Sequence, residues 1–384
     1  IMIPLSVPNL KGNEKKYLKK CISTEFVSSV GEYVNIFEKN ISKFTKAKYA
    51  VACSSGTTAL HLALRAINVE KDDEVIVPSM SFIATVNPVR YLNASPVFMD
   101  CDNFYNLDIY KFKQFIKKNT FFKNGFTINK KTKKKIKAII PVHVSGNAVD
   151  LESIVNFCKK KNIKIVEDAA EALGTFYLRG KLKNKHAGTI GDIGCLSFNG
   201  NKIITSGGGG MIITNDKKLA EKCKYLSTQA TNDSIIYKHD DIGYNYRLTN
   251  IQAAVGVAQL EKIQLFIKKK KDIYNFYKKK IDKISELDLA QRPKYADNNN
   301  WMMTIIINKN FRYKKDMLIK KLFKKNIQTR SMWLPIHLQK KYLKFEKYKI
   351  SKSIELFNSS INIPCSTNLS SNQMNKVTSI LLSI

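Results

Sequence analysis

Short apolar runs alternate with helical patterns between residues 49 and 213, and this alternation limits the possible folds more than any other feature. Helical patterns such as 57–67 and 151–160 separate most of the apolar runs. Strands that alternate with helices build a mainly parallel sheet with both faces covered. The sequence therefore predicts an α/β fold. The predicted strands are 49–53, 74–77, 96–99, 136–141, 163–166, 195–198 and 211–213.

The pattern changes after residue 248. Residues 249–283 form one long helical pattern that contains no proline and a single glycine. A predicted strand at 301–307 and a predicted helix at 314–323 follow. A chain of 384 residues commonly forms two domains. We therefore predict a large domain at 1–248 and a smaller C-terminal α+β domain at 249–384, which begins with a long linking helix.

The formal net charge of +34 raises the question of nucleic-acid binding. Nearly all of the positive charge is lysine, which lacks the planar fork with which arginine binds phosphates and base edges. Runs such as 130–135 (KKTKKK) are typical of solvated faces. We therefore expect no specific nucleic-acid partner, although the charge alone gives weak attraction to polyanions.

The seven cysteines are scattered, odd in number and never spaced as CxxC. This pattern is typical of reduced thiols, and it argues against a zinc site. No apolar run is long enough to span a bilayer, so we expect no membrane insertion. Together these features predict a cytoplasmic protein that holds no metal.

Three predicted strands end in residues that can hold a ligand, and ligands of open α/β sheets bind at the carboxyl ends of strands. Segment 54–58 (SSGTT) opens a helix whose free N–H groups suit an anion, although a plain N-cap has the same pattern. Asp168 follows a buried strand, where a carboxylate needs a positive partner or serves as an N-cap. Lys202 lies between a strand end and the glycines 207–210.

These three positions fit one ligand. A phosphate suits segment 54–58, a protonated ring nitrogen suits Asp168, and an aldehyde suits Lys202; pyridoxal 5′-phosphate (PLP) carries all three groups. Phe82 follows another strand and offers a ring face for stacking, although such a phenylalanine is more often part of the core. His143 could line the same pocket or be a hydrogen-bonded core residue.

Five blocks of sequence, in matching order and spacing, resemble the DegT/StrS family of PLP-dependent nucleotide-sugar aminotransferases over almost the whole chain. The resemblance implies a fold-type I PLP-dependent transferase, whose large domain has a mainly parallel seven-stranded sheet flanked by helices. It also implies a homodimer with shared active sites. The blocks are 54–60 (SSGTTAL), 167–174 (EDAAEALG), 197–202 (SFNGNK), 243–254 (GYNYRLTNIQAA) and 335–339 (PIHLQ).

The resemblance also implies roles for the residues that bind the cofactor. Lys202 would attach PLP as a Schiff base and move protons, and Asp168 would pair with the pyridine nitrogen. Phe82 would stack on the ring. Glu171 stands where many members have glutamine, so its contact with the ring hydroxyl can differ in charge.

The phosphate of PLP has its own expected set of residues. The resemblance implies that Gly56, Thr57 and Ser197 hold the phosphate within one subunit. It implies that Asn245 reaches the same phosphate from the other subunit.

Candidate substrate residues come from other segments. Arg330 suits the carboxylate of an amino donor or a nucleotide diphosphate, although a surface role fits equally well. His337 lies on the loop nearest the smaller domain, where a structural role is the alternative. Ser29 belongs to segment 26–31 (FVSSVG), which is similar to enzymes that aminate C4 of a UDP-linked 2-acetamido-4-keto-2,4,6-trideoxyhexose.

Segments 3–8 (IPLSVP) and 199–205 (NGNKIIT) resemble the same branch, which serves bacillosamine and legionaminic acid synthesis for bacterial surface polysaccharides. The implied reaction moves an amino group from L-glutamate to C4 of a UDP-linked 4-keto-6-deoxy-N-acetylhexosamine. The alternatives are another nucleotide-linked keto sugar or a non-catalytic PLP-binding regulator. A related sugar dehydratase is disfavoured, because those proteins carry histidine in place of Lys202.

Overall fold

The structure, a computed structural model, describes residues 2–233, 235–308 and 315–383. Its central sheet contains all seven predicted strands and one further strand from the C-terminal part of the chain. The strand Gly210–Thr214 is antiparallel to both of its neighbours, and all other described pairings of this sheet are parallel, which confirms the mainly parallel α/β sheet. The strands lie in the order Tyr49–Cys53, Gly210–Thr214, Ile193–Ser197, Lys164–Asp168, Ile136–Ile139, Glu74–Pro78, Ser95–Met99 and Lys347–Tyr348.

Both faces of this sheet are buried, because successive side chains of a strand point to opposite faces. In the strand Glu74–Pro78, Val77 belongs to the apolar core that includes the helix Gly56–Ala66. Ile76 belongs to the core on the other face, which includes the helix Glu32–Thr45.

Helices cover the two faces and continue into the C-terminal part of the chain. The described α-helices are Glu14–Ser23, Glu32–Thr45, Gly56–Ala66, Asn87–Tyr91, Ile109–Asn119, Val155–Lys160, Lys217–Ser227, Asn250–Leu260, Ile263–Ile281, Lys315–Lys324, Lys352–Ser359 and Ser371–Leu382. None of the described helices is both long enough and apolar enough to cross a bilayer.

The C-terminal part of the chain has its own antiparallel sheet and its own apolar core. Ile3, near the start of the chain, is buried in this core. The division into domains at residue 249 therefore stays a prediction. The sheet has the strand order Leu287–Leu289, Met303–Ile307, Ser360–Ile363 and Arg330–Ser331. Smaller strand pairs are Thr120–Lys123 with Phe126–Asn129, Thr231–Asp233 with Lys238–His239, and Phe176–Tyr177 with Ala296–Asp297.

The prediction of one long helix at 249–283 is wrong, because the chain forms two helices, Asn250–Leu260 and Ile263–Ile281. Lys262, in the connection, has φ −102° and ψ 2°, which are not helical values. The first helix packs in the main core, whereas the second ends in the C-terminal core, so tertiary packing sets the break. Of the predicted helix 314–323, the first residue lies outside the described residues.

Candidate active site

A cavity of about 390 Å³ lies at the carboxyl ends of the parallel strands. We call it the strand-end cavity. It brings together most residues that the sequence assigned to the cofactor. Its wall consists of Ser55, Gly56, Thr57, Leu60, Ser81, Phe82, Ala84, Thr85, Val142, Asp168, Ala170, Glu171, Ser197, Asn199, Asn201, Lys202, Gly208, Gly209, Trp301 and Trp333.

The start of the helix Gly56–Ala66 forms one side of this cavity. Ser55 caps the helix by accepting a hydrogen bond from the Thr58 amide at 3.1 Å. A Cβ atom on Gly56 would lie only 2.9 Å from the Cβ atom of Ser197, so glycine allows the helix start to approach the neighbouring strand end. The first amides of a helix have no partner within the helix, and such a start binds anions well.

Asp168 ends the strand Lys164–Asp168 in the cavity wall. The Thr85 hydroxyl donates to Asp168 Oδ2 at 2.7 Å, and the Ala170 amide donates to Oδ1 at 3.2 Å. Burial raises the pKa of this carboxyl, and those two hydrogen bonds oppose the rise. A buried carboxylate is costly without a cation, so the site favours a positively charged ligand atom near Asp168.

Lys202 extends into the same cavity, where its side chain is 13% exposed. Its Nζ lies 3.3 Å from Glu171 Oε1 and 4.3 Å from the ring centroid of Trp301. The Ser145 amide donates to Glu171 Oε2 at 2.8 Å. Burial raises the pKa of the Glu171 carboxyl, and the charge of Lys202 opposes that rise.

Phe82 forms an aromatic wall of the cavity together with Trp333, and their ring centroids are 6.3 Å apart. The Phe82 side chain is 55% exposed, so it is not the core residue that the alternative interpretation allowed. An exposed ring beside a cavity offers its face to a planar ligand.

These features fit PLP group by group. The helix start at Gly56 suits a phosphate, the buried Asp168 carboxyl suits a protonated ring nitrogen, and the Lys202 amine suits an aldehyde. Phe82 suits the face of the ring. The cofactor contacts of these residues stay a prediction that the shape and charge of the cavity support.

Four predicted residues lie outside this wall. Asn245 is exposed on the chain's surface, where Arg247 Nε donates to its Oδ1 at 3.4 Å. Arg330 is exposed and donates to the Thr329 carbonyl at 3.0 Å. Ser29 is half-buried in the loop before the helix Glu32–Thr45. Within one chain, none of these three reaches the strand-end cavity.

His337, the fourth, is 3% exposed, and its Nδ1 lies 2.5 Å from Ser79 Oγ. Burial lowers the pKa of His337. His143 is also buried, and its Nε2 lies 2.9 Å from Glu167 Oε2 while its Nδ1 accepts from the Val149 amide at 3.0 Å. The observed partners therefore favour the structural alternative for both histidines.

Sequence reasoning missed several residues of the cavity wall. Thr85 escaped notice because hydroxyl residues are common and only the fold brings it to Asp168. Trp301 and Trp333 carried a usable signal, because they are the only tryptophans of the chain and both line the cavity.

Comparisons with known proteins agree with this geometry. A model of the DegT/DnrJ/EryC1/StrS aminotransferase family matches residues 8–382. A protein of Escherichia coli O157:H7 named GDP-perosamine synthase is 38% identical over 97% of this chain and 95% of its own length. A Campylobacter jejuni protein (strain 81-176) named UDP-4-amino-4,6-dideoxy-N-acetyl-beta-L-altrosamine transaminase is 28% identical over 95% of this chain and 92% of its own.

The fold also matches solved structures. PseC of Helicobacter pylori, described as an aminotransferase involved in the biosynthesis of pseudoaminic acid, superposes with a TM-score of 0.89. The match covers 100% of this chain and 99% of PseC at 25% identity. The family is PLP-dependent, and the chain is a PLP-dependent sugar aminotransferase.

Proposed function

We propose that this chain, which belongs to the DegT/DnrJ/EryC1/StrS aminotransferase family, transfers an amino group from L-glutamate to C4 of a nucleotide-linked 4-keto-6-deoxy sugar. The observation that supports this proposal is the composition of the strand-end cavity. The Lys202 amine, the Asp168 carboxyl and the helix start at Gly56 all line it. A proton-transfer group, a charge partner and an anion site thus lie together.

PLP, when bound, supplies an electron sink for breaking the Cα–H bond of the amino donor. In this proposal Asp168 keeps the positive charge at the ring nitrogen, and Gly56, Thr57 and Ser197 hold the phosphate. The Lys202 amine takes the proton from Cα of the donor and later delivers a proton at C4 of the sugar. Because the enzyme keeps the amino group and releases the keto acid of the donor before the sugar reacts, it should follow ping-pong kinetics.

The acceptor sugar has two candidates. The relative named GDP-perosamine synthase is more similar than the relative named for a UDP-linked amino sugar, 38% against 28%, which favours a GDP-linked keto sugar. Segments 3–8, 26–31 and 199–205 resemble the UDP-specific branch and favour the UDP-linked 4-keto-6-deoxy-N-acetylhexosamine. The chemistry at C4 is the same for both sugars.

The deciding experiment converts the purified protein to its pyridoxamine phosphate form with L-glutamate. That form is then mixed separately with GDP- and UDP-linked 4-keto-6-deoxy sugars. The sugar that restores the absorbance of the lysine-bound cofactor is the acceptor, and mass spectrometry of the product should show the new amine. If neither sugar restores it, both proposed acceptors are wrong.

We also propose that the active unit is a homodimer. The segment 228–247 carries Asn245, which the family resemblance assigns to the phosphate of the other subunit. Ile235, Ile236 and Ile242 of this segment are 86%, 70% and 76% exposed in the single chain. Large exposed apolar side chains in one segment support a packing partner. Sedimentation of the purified protein should therefore show a dimer.

A further inference from the structure

Lys270 is a lysine of the helix Ile263–Ile281 whose ammonium group is buried. It is 3% exposed, and its Nζ donates to the carbonyls of Trp301 at 2.7 Å and Cys365 at 2.6 Å. Arg292 makes a parallel contact, because its Nη2 donates to the Met302 carbonyl at 2.7 Å. Two cations therefore bind two consecutive carbonyls of the chain.

Neither cation has an ion-pair partner among the residues that the structure describes. Removing a charge from water is costly, and hydrogen bonds to neutral carbonyls offset only part of that cost. A buried methionine would fill the place of Lys270 at a lower cost in solvation. The costly arrangement therefore suggests that holding the backbone at 301–302 has a function.

Trp301 connects this backbone to the strand-end cavity. Its indole Nε1 donates to the Asn201 carbonyl at 2.6 Å, immediately before Lys202. Its ring centroid lies 4.3 Å from Lys202 Nζ, a distance at which an aromatic face attracts an ammonium group. Trp301 thus contacts both the backbone of the residue before Lys202 and the Lys202 amine that the proposed function uses.

A second contact holds the same segment from the other side. Asn299 Oδ1 accepts from the Trp301 amide at 2.9 Å, and Asn299 Nδ2 donates to the Glu171 carbonyl at 2.7 Å. Two neighbours of the Lys202 amine are the Trp301 ring and the Glu171 carboxylate. The segment 299–302 contains the first and is hydrogen-bonded to the backbone of the second. A displacement of Trp301 would change the surroundings of Lys202 on two sides.

We propose that Lys270 and Arg292 are positioning residues, which fix the Trp301 indole against the amine of Lys202. Through this contact, residues of the C-terminal part of the chain affect the rate of the reaction at Lys202. The proposal rests on the proposed function of Lys202. It requires that loss of the Lys270 ammonium group move the indole, even when no cofactor is bound.

The first test uses the fluorescence of the cofactor-free protein. In a Trp333→Phe background Trp301 is the only tryptophan, so its emission reports its own surroundings. Lys270→Met should shift that emission to the red and increase its quenching by acrylamide. Lys269→Met is the matched control, because Lys269 is an exposed lysine of the same helix, and it should leave both signals unchanged.

The second test measures the holoenzyme without the Trp333 change. Lys270→Met should lower kcat by about 10- to 100-fold, the scale of the lost hydrogen bond from this charged group to the Trp301 carbonyl, with little change in KM for L-glutamate. Lys270→Arg, which keeps a charged donor, should recover much of the rate. A folded Lys270→Met protein with unchanged Trp301 emission would overturn the proposal.

One further variant and an assay of the parent protein cover the other outcomes. If Lys270→Met does not fold, Lys270→Gln keeps one donor, and unchanged emission in that variant would overturn the proposal equally. If Trp301 moves in Lys270→Met but no keto sugar is aminated by the parent protein, the proposed function fails while the contact between Lys270 and Trp301 stands.

Discussion

The strand-end cavity and the segment 228–247 differ in how many of their side chains find a partner within one chain. In the cavity, Asp168, Glu171 and Lys202 have partners from several strands and loops of the same chain. In the segment, Ile235 and Tyr237 are 86% and 73% exposed. The charged groups of the cavity are paired within one chain, whereas the exposed apolar side chains of the segment would be removed from water only by a second surface, as in the proposed homodimer.

The cavity is most directly tested at Lys202. Lys202→Ala should lower the transamination rate by at least about 10⁴-fold, because the variant loses both the attachment of the cofactor and the proton-transfer group. Borohydride reduction and peptide mapping should place the pyridoxyl group on Lys202 in the parent protein. Lys183→Ala, at an exposed lysine, is the control and should keep full activity. A label on another lysine would contradict the assignment.

Asp168 tests the charge partner within the same cavity. Asp168→Asn keeps the shape but removes the negative charge, and loss of one member of a buried charge pair costs about 3–5 kcal/mol. The rate should therefore fall by about 10²- to 10⁴-fold. In the cofactor-free protein, whose Asp168 carboxyl has a pKa raised by burial, the same change should not lower the free energy of unfolding. A less stable apoprotein would show that the carboxylate is needed for folding instead.

Asn245 tests whether the segment 228–247 serves a second chain. Asn245→Ala should weaken PLP binding by about 10- to 100-fold, the effect of one lost hydrogen bond to a charged phosphate. The variant should also complement Lys202→Ala when the two are refolded together. Each mixed dimer has one intact site, so random pairing returns about a quarter of the parent activity. Absence of any recovery would argue against shared sites.

His61 belongs to the helix Gly56–Ala66, whose start lines the cavity, and its ring lies 4.8 Å from that of Tyr244 in the segment 228–247. It gives the smallest expected effect. Burial lowers the pKa of His61 from 6.5 to about 4. The unfolded chain then binds a proton that the folded chain does not, so stability is full above pH 6.5 and falls as the pH drops toward 4. Between pH 6.5 and pH 5 the loss is about 2 kcal/mol.

Denaturant titrations at several pH values measure this loss. His61→Gln should reduce the pH dependence by about one proton per chain. His186, whose pKa burial lowers to about 3, should account for part of the remaining dependence. An unchanged pH dependence in His61→Gln would show that His61 is not the group responsible.

The sequence predicted the sheet and the main cofactor residues because their signals are local. Asp168 ends one apolar strand and Lys202 lies five residues after another, and parallel strands bring their carboxyl ends to one edge. Thr85 and Trp301 come from elsewhere in the chain, and only tertiary packing brings them beside those residues. The break near Lys262 also has a tertiary cause, since no proline or glycine marks it.

The short strand Lys347–Tyr348 has a consequence for the synthesis of the protein. It pairs with Ser95–Met99 and covers an edge of the main sheet, and Phe98 also donates to the Glu346 carbonyl at 2.9 Å. An uncovered edge strand recruits the strands of other chains. Because residues 346–348 leave the ribosome long after Ser95–Met99, this edge of the nascent sheet stays open while the residues between them are synthesised, and the unfinished sheet is prone to pair with other chains during that time.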